Sequence, residues 1–543
     1  MKKKIMKNKW IYKVVIVLCA GFTLNSCNRD DSLLSNPNSR SEDALIPPSL
    51  ILNHITSGLI KADEMPFQQA HKTNQYFVSN YSYYWGTNSY SWTNSDNEYD
   101  VYLYSIKMEE QAKKLGDNAK INFYTALSKF FKAYSSIWLS QRVGDIPMTE
   151  AGNSSNLTPK YDTQKDVYKN SLTLLTDANN LLGNINNTYP SLKNTVADSS
   201  GDIFGLTYFQ WQKVINSYTL RVLVSLSKRT NDTPDLNIKG QFSTILNNPG
   251  QYPIMESNTD NMMYRFNTSY NPYPIYTSRS YTYGANIGKT ILDITTSTSD
   301  PRTFVFATPA PAQYKVAGLP ISSFSAYVGA STNTAQSVLF AGTDTAGNTT
   351  SDKGAYSYIN FKRYFSSQDG STAEPYVLIG YPEMCFNIAE AINRGWATGD
   401  AENWYLKGIN ASLTFYGLSN GGSFSVGDRL GGTLGNVTID TNTFLSKVAY
   451  AGNTTDGLKQ ILTQKYVSLF CNSGFEAFYN WRRTGYPAFQ QGGVGIGTPN
   501  NMLPYRWMYP QGEITYNSSN YQNAIQTQYG GADDITQFMW LLK

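Results

Sequence analysis

Residues 122–138 read Asn122-Phe123-Tyr124-Thr125-Ala126-Leu127-Ser128-Lys129-Phe130-Phe131-Lys132-Ala133-Tyr134-Ser135-Ser136-Ile137-Trp138. Phe123, Leu127, Phe130, Tyr134 and Trp138 recur at spacings of four, three, four and four, which stack one apolar stripe on a helix. Gly144 stops that helix. Thr163-x-x-Asp166 is a capping box ahead of Tyr168, Leu172, Leu175 and Leu182, so a second amphipathic helix follows. Trp211, Ile215, Tyr218, Val222 and Leu226 make a third.

The same grammar returns late in the chain. Pro382 suits a first helical turn, Met384, Ile388 and Ala391 share a face, and Gly395 ends the helix. Asp400 caps the next, which carries Leu406, Ile409, Leu413 and Tyr416 up to Gly417. Leu458, Ile461, Lys465 and Leu469 lie on one side of another helix, and Ser473-x-x-Glu476 reads as the cap of one running through Trp481. Helix, short turn, helix is the unit of tetratricopeptide-like stacking, although no repeat of fixed period is visible. The expected architecture is mainly α. One helical body has two groups, about Pro47 to Asn247 and about Pro382 to Gly485, with a long Tyr/Ser/Thr/Gly-rich irregular region between them.

Before this body the chain is of another kind. Lys2, Lys3, Lys4, Lys7, Lys9 and Lys13 precede an apolar run of 11 residues, Val14 to Leu24, closed by Leu24-Asn25-Ser26-Cys27. The run is about half the roughly 20 residues that a spanning helix requires, so residues 1–26 read as a signal peptide. A cysteine at the cleavage point resembles a bacterial lipobox, in which Cys27 becomes the acylated first residue. Residues 27–40 form a polar tether, and residues 41–543 a single domain of ample size for a large core. The leader takes six lysines and no acid, leaving 38 Lys+Arg against 40 Asp+Glu. The basic balance belongs to the leader, and no basic cluster larger than Lys228-Arg229 or Lys362-Arg363 remains, which argues against nucleic acid as a partner. Cys385 and Cys471 carry no metal or redox spacing and read as buried free thiols on helix faces, with a disulfide the alternative.

Six stretches then carry a family resemblance in order: Gly144-Asp145-Ile146-Pro147-Met148-Thr149-Glu150-Ala151 with Thr158-Pro159-Lys160-Tyr161-Asp162; Trp211 through Arg221; Asp300-Pro301-Arg302; Ala389-Glu390-Ala391 through Arg394-Gly395-Trp396; Gln464-Lys465-Tyr466 with Trp481-Arg482-Arg483-Thr484-Gly485-Tyr486-Pro487; and Pro504-Tyr505-Arg506-Trp507-Met508-Tyr509-Pro510 with Glu513 and Asn517. Together they resemble the SusD/RagB lipoproteins of Bacteroidetes. The resemblance implies a SusD-like fold with four tetratricopeptide-like units. It also implies an outer-membrane address through the lipid anchor, facing the exterior, and a SusC-like TonB-dependent transporter over which the protein acts as a lid in nutrient uptake. Asp30-Asp31 resembles the acidic surface-export signal of these bacteria, with an ordinary solvated tether as the plain alternative. Most matched motifs read as architecture. Arg482 and Arg483 can bond the last helix carbonyls and pair with a carboxylate such as Glu476.

The ligand is sought where aromatic residues lack helical spacing. From Tyr76 to Tyr99 the chain is aromatic and small-polar, and a second cluster holds Tyr264, Tyr270, Tyr273, Tyr276, Tyr281 and Tyr283. Flat rings cover the C–H face of a sugar while Asn, Ser and Tyr groups bond its hydroxyls. The expected ligand surface is Trp85 and Trp92 with Tyr83, Tyr90, Asn94, Tyr273, Tyr276, Tyr281 and Tyr283. The competing reading of each ring is filler beneath a long loop or packing against the barrel.

A glycan or oligosaccharide is the expected ligand, with no cofactor, metal or covalent step. A peptide-binding lipoprotein of a RagAB-like uptake system is the alternative, followed by a glycan-hydrolysing enzyme and a surface adhesion protein. Only His54 and His71 exist, both expected on helices near the N-terminus and in no catalytic spacing. The adjacent acids Glu109-Glu110 and Asp533-Asp534 read as solvated faces rather than a glycosidase pair.

Overall fold

Phe123, Leu127, Phe130, Tyr134 and Trp138 are all buried on one helix, Ala119–Val143. The computed structural model describes residues 44–79, 94–116, 118–267, 269, 271–273, 285–334, 339, 354–364, 373–429, 431–491 and 502–543. Among these, the helices of nine residues or more are α1 Pro48–Ser57, α2 Tyr99–Lys114, α3 Ala119–Val143, α4 Gln164–Thr188, α5 Tyr208–Ser225, α6 Ile238–Asn247, α7 Lys289–Ser297, α8 Tyr381–Asn393, α9 Ala401–Phe415, α10 Thr455–Ser468, α11 Glu476–Thr484 and α12 Ser518–Tyr529. The fold is mainly α, and residues Pro47–Lys543 form one compact unit.

Local signals set most of the boundaries. The Asn118 side chain accepts from Ile121 N at the start of α3, and Gly144, at φ 102°, ends it in a conformation that a Cβ would strain. Thr163 caps α4 and Asp400 caps α9, each through its side-chain oxygen. Thr207 and Gln210 form a reciprocal capping box on α5.

The first helical group packs through rings. Phe123 meets Tyr208 at 5.2 Å, Phe130 meets Trp211 at 5.9 Å, and Tyr134 meets Tyr218 at 5.4 Å. Partners advance together along both helices, so α3 and α5 run parallel. Between them α4 runs antiparallel to both, with Lys129 on Asp177 and Gln164 on the Ser140 carbonyl on one side, and Asn216 on Asn179 and Gln212 on Asn186 on the other. Trp211, fully buried, donates its indole N–H to Asp202 at 2.8 Å, so its polar atom is satisfied.

One buried ion pair joins this group to the second, and others lock the second group and the region before it. Arg221 on α5 holds Glu383 on α8 and also donates to the Leu378 carbonyl at 2.7 Å. Arg483 on α11 holds Glu390 on α8 at 2.8 Å, and Glu390 also accepts from Arg394. Arg302 is clamped by Asp300 two residues before it and reaches Ser412 on α9 at 2.9 Å. The motif residues are therefore architectural. Each guanidinium is buried with its carboxylate, because a lone buried charge is far costlier than a paired one.

Three two-stranded antiparallel ribbons complete the described structure. They are β1 Phe77–Ser79 with β3 Ala285–Ile287, β2 Met262–Tyr264 with β4 Tyr376–Ile379, and β5 Ser423–Gly427 with β6 Thr433–Thr438.

Several expectations need correction. Arg483 pairs with Glu390 rather than Glu476, and Arg482 instead donates to the carbonyls of Gln141 and Tyr505. Ser473 does not cap α11 with its hydroxyl. It sits at φ 56°, its Oγ turns to the Val377 carbonyl, and its own carbonyl accepts from Glu476 N. Cys385 is a buried free thiol on α8, but Cys471, equally free, lies past the end of α10 at φ 54°. The middle region is not wholly irregular, since α7 and the short helix Arg302–Phe306 lie in it. The C-terminal α12 lies beyond the two expected groups, where Gly530 at φ 70° ends it.

Candidate functional site

The last residue of β1, Ser79, pairs with the first residue of β3, Ala285. In an antiparallel ribbon those two ends lie at the same edge, with their Cα atoms about 5 Å apart. The chain leaving Ser79 leads to Tyr83, Trp85, Tyr90 and Trp92; the chain arriving at Ala285 comes from Tyr276, Tyr281 and Tyr283. Those seven residues lie outside the described ones. Their two segments nonetheless take root side by side.

The two described members of the expected surface are anchors. Asn94 donates its side-chain amide to the Tyr509 carbonyl at 2.6 Å, while the next residue, Ser95, donates its backbone N–H to Met508. Tyr273 is buried at 4% exposure, edge-on to Phe266 at 5.1 Å, and burial holds its phenol well above the usual range. The flanking Tyr76 and Tyr264 are likewise core residues. Tyr76 stacks on Tyr466 at 4.9 Å, and Tyr264 donates to the Thr56 carbonyl.

Beneath the rim lies a clasp of two glutamines that sequence reading missed. Gln75 donates its amide to the Gln490 carbonyl at 3.0 Å, and its side-chain oxygen accepts from Gln490 N at 2.9 Å and from the Thr290 hydroxyl at 2.6 Å. The Gln490 side-chain oxygen in turn accepts from Ser331 Oγ at 3.1 Å and Thr332 N at 2.9 Å. Val78, Ala330 and Leu339 form a small buried cluster nearby. The clasp ties the chain before β1 to the loop at 331–332, the start of α7 and the loop at 490. Nothing in the spacing of these glutamines announces it, since their bonds cross more than 150 residues.

Groups that might suggest chemistry are otherwise engaged. His71 accepts from Phe67 N through Nδ1 at 2.9 Å, and burial lowers its pKa to about 3. His54 lies 3.0 Å from Asp100 on α2. Glu109 is held by Lys132 at 2.7 Å and Lys113 at 2.9 Å, Glu110 faces Lys107, Asp533 pairs with Arg506, and Asp534 accepts from Thr536. Both histidines stand on or beside helices near the N-terminus, as expected.

The sequence that builds this helical body and its buried ion pairs matches a family pattern over residues 38–510, that of proteins described as starch-binding and associating with the outer membrane. The chain belongs to the SusD-like family. Among solved structures, it is similar to a SusD homologue of Bacteroides fragilis at 26% identity and a TM-score of 0.75, covering 92% of this chain and 100% of that one. A second SusD homologue of the same organism shares 29% identity with a TM-score of 0.71, covering 92% and 99%. No curated protein matches the sequence. As a SusD-like protein the chain is an outer-membrane-associated binding protein. Among the described residues no helix is long and apolar enough to cross a membrane.

Proposed function

We propose that this SusD-like protein is anchored through an acylated Cys27, faces the cell exterior, and captures a glycan or oligosaccharide for a SusC-like TonB-dependent transporter, over which it acts as a lid. The observation that supports the ligand site is the pairing of Ser79 with Ala285, which roots the segment bearing Tyr83, Trp85, Tyr90 and Trp92 beside the one bearing Tyr276, Tyr281 and Tyr283. Rings of this kind contribute on the order of 1 kcal/mol each beyond their buried area, so several of them hold a sugar at modest affinity. Modest affinity suits a lid, because a ligand held too tightly by the open form would not pass on, whereas a preference for the closed form drives closure. Binding involves no cofactor and no covalent step.

Calorimetry or affinity electrophoresis against a glycan panel tests the reading, comparing wild type with Trp85→Ala and Trp92→Ala at matched melting temperature. Weakened glycan binding in both variants is expected. Wild-type binding in both removes the aromatic rim as the site, and binding of peptides without glycans removes the substrate class. Cys27→Ala should release the protein from the membrane fraction, since stable anchoring requires more than one acyl signal. Retention after the transporter is deleted would overturn the anchor.

A further inference from the structure

A cleft of about 240 Å³ opens between α4, α5 and α6. It shares no lining residue with the rim at Ser79 and Ala285 or with the Gln75 clasp. Two internal cavities near Arg221 and Glu476 measure only about 20 and 30 Å³, room for a water or two. The cleft is of another order. It falls just below the range of pockets for drug-sized molecules, which suits a ligand of one ring.

Its lining is polar and uncharged, and much of its hydrogen-bonding capacity is unspent. Asn216 on α5 is 2% exposed and commits its amide nitrogen to Asn179 at 2.9 Å and the Pro253 carbonyl at 2.8 Å. Its side-chain oxygen accepts nothing from the described protein groups. The oxygen is open to the cleft rather than sealed from solvent, so a donor there can bond it. Gln241 on α6 gives its amide nitrogen to the Leu236 carbonyl at 2.6 Å and likewise keeps its oxygen for the cleft. The Tyr252 hydroxyl accepts from Gln251 at 3.3 Å and still has a proton to give. Asn237 precedes α6 at φ 42° without capping it, so its side-chain amide is available both to donate and to accept. Leu175 and Ile245 supply an apolar floor.

The lining dictates the class of ligand. With no charged side chain among the residues lining the cleft, neither an anion nor a cation would recover its hydration. Two free acceptors, one free donor and one amide of both kinds require groups that donate and accept at once, which hydroxyls do. An apolar floor beneath them suits the C–H face of a sugar ring. We infer that this cleft is a second binding site, for a single neutral, polyhydroxylated ring the size of a monosaccharide. It shares the ligand's chemistry with the proposed function and stands independently of the aromatic rim.

The purified full chain is titrated with D-glucose, D-galactose and N-acetyl-D-glucosamine by saturation-transfer NMR and calorimetry. At least one pyranose should bind. Thr244→Trp, placed at the exposed edge of the cleft on α6 where it fills the space without touching the core, should abolish that binding. Gln241→Ala should weaken it by about fivefold, the effect of one lost hydrogen bond. Absence of pyranose binding at high millimolar concentration would overturn the second site. So would binding that survives Thr244→Trp, and loss in the Trp85 and Trp92 variants with retention in Thr244→Trp would assign the monosaccharide to the rim instead.

Discussion

Ser79 and Ala285 close a three-residue antiparallel ladder in which Phe77 faces Ile287 and Val78 faces Asn286. More than 200 residues of chain lie between these partners, yet the ladder fixes the points from which the two aromatic segments depart. The ribbon is itself held from below. Gly288 N donates to the Tyr76 carbonyl, and a Cβ on Gly288 would stand 2.2 Å from the Gln75 carbonyl oxygen, so only glycine permits this approach.

If both segments serve one ligand, their rings should be energetically coupled. A double-mutant cycle on Trp85→Ala and Tyr281→Ala, read as glycan binding free energy, is expected to depart from additivity by about 0.5 kcal/mol or more, as residues sharing a partner do. Strict additivity would place the two rings on separate ligands or subsites.

The glutamine clasp should carry more stability than its exposure suggests. Gln75 is 1% exposed, and Gln75→Leu would leave the Gln490 backbone groups and the Thr290 hydroxyl without it. The expected loss is on the order of 1–3 kcal/mol in urea unfolding, the cost of stranding buried polar groups. Gln490→Leu should cost less, because it removes the bonds to Ser331 and Thr332 but spares the pairing of the Gln490 backbone with Gln75.

What sequence could reveal divides along the range of the interaction. The stripe from Phe123 to Trp138 and the caps at Thr163 and Asp400 are local, fixed within a turn or two of the residues that signal them. Ser473 shows how a local signal misleads. It has the capping-box spacing to Glu476, but the chain enters α11 through a left-handed residue and the serine's carbonyl takes the bond that its hydroxyl was expected to accept. Arg483 has Glu476 seven residues away and chooses Glu390, 93 residues distant, because α8 packs against α10, the helix that leads into α11. The three-residue strands β1 and β3 are too short to show a period of two. The polar cleft is assembled from Asn and Gln side chains on separate helices, each unremarkable in its own segment.

Gly408 on α9 is a packing glycine. A Cβ there would meet three ring atoms of Phe386 at 2.7 to 2.9 Å, and the ring is fully buried. Alanine gains about 1 kcal/mol in helix propensity, while overpacking costs about 1–3 kcal/mol. Gly408→Ala should therefore destabilise the protein in thermal or denaturant unfolding, and adding Phe386→Leu should restore part of the loss. A variant more stable than wild type would show that the ring yields at little cost.

The two kinds of buried carboxyl predict opposite pH responses. Burial alone would raise the Glu390 pKa, but the guanidiniums of Arg483 and Arg394 overcome it and bring the pKa down to about 2. Its folded-state value lies below its unfolded one, so its contribution is complete above the ordinary carboxylate range and is lost as pH falls through that range towards 2. Glu64 is the reverse case. Burial outweighs Arg142 and lifts its pKa to about 7, so the native state binds its proton more tightly and the contribution declines as pH rises from the ordinary range through 7. Glu390→Gln should cost about 3–5 kcal/mol near neutrality by leaving Arg483 buried and unpaired, with the gap to wild type narrowing between about pH 5 and pH 3. Glu64→Gln retains an acceptor for Trp138, and the wild-type advantage over it should shrink as pH rises from about 5 to 8. Urea unfolding of both variants across this range checks the signs together. A Glu390→Gln deficit that stays constant on acidification would mean that the carboxyl titrates normally despite its two arginines.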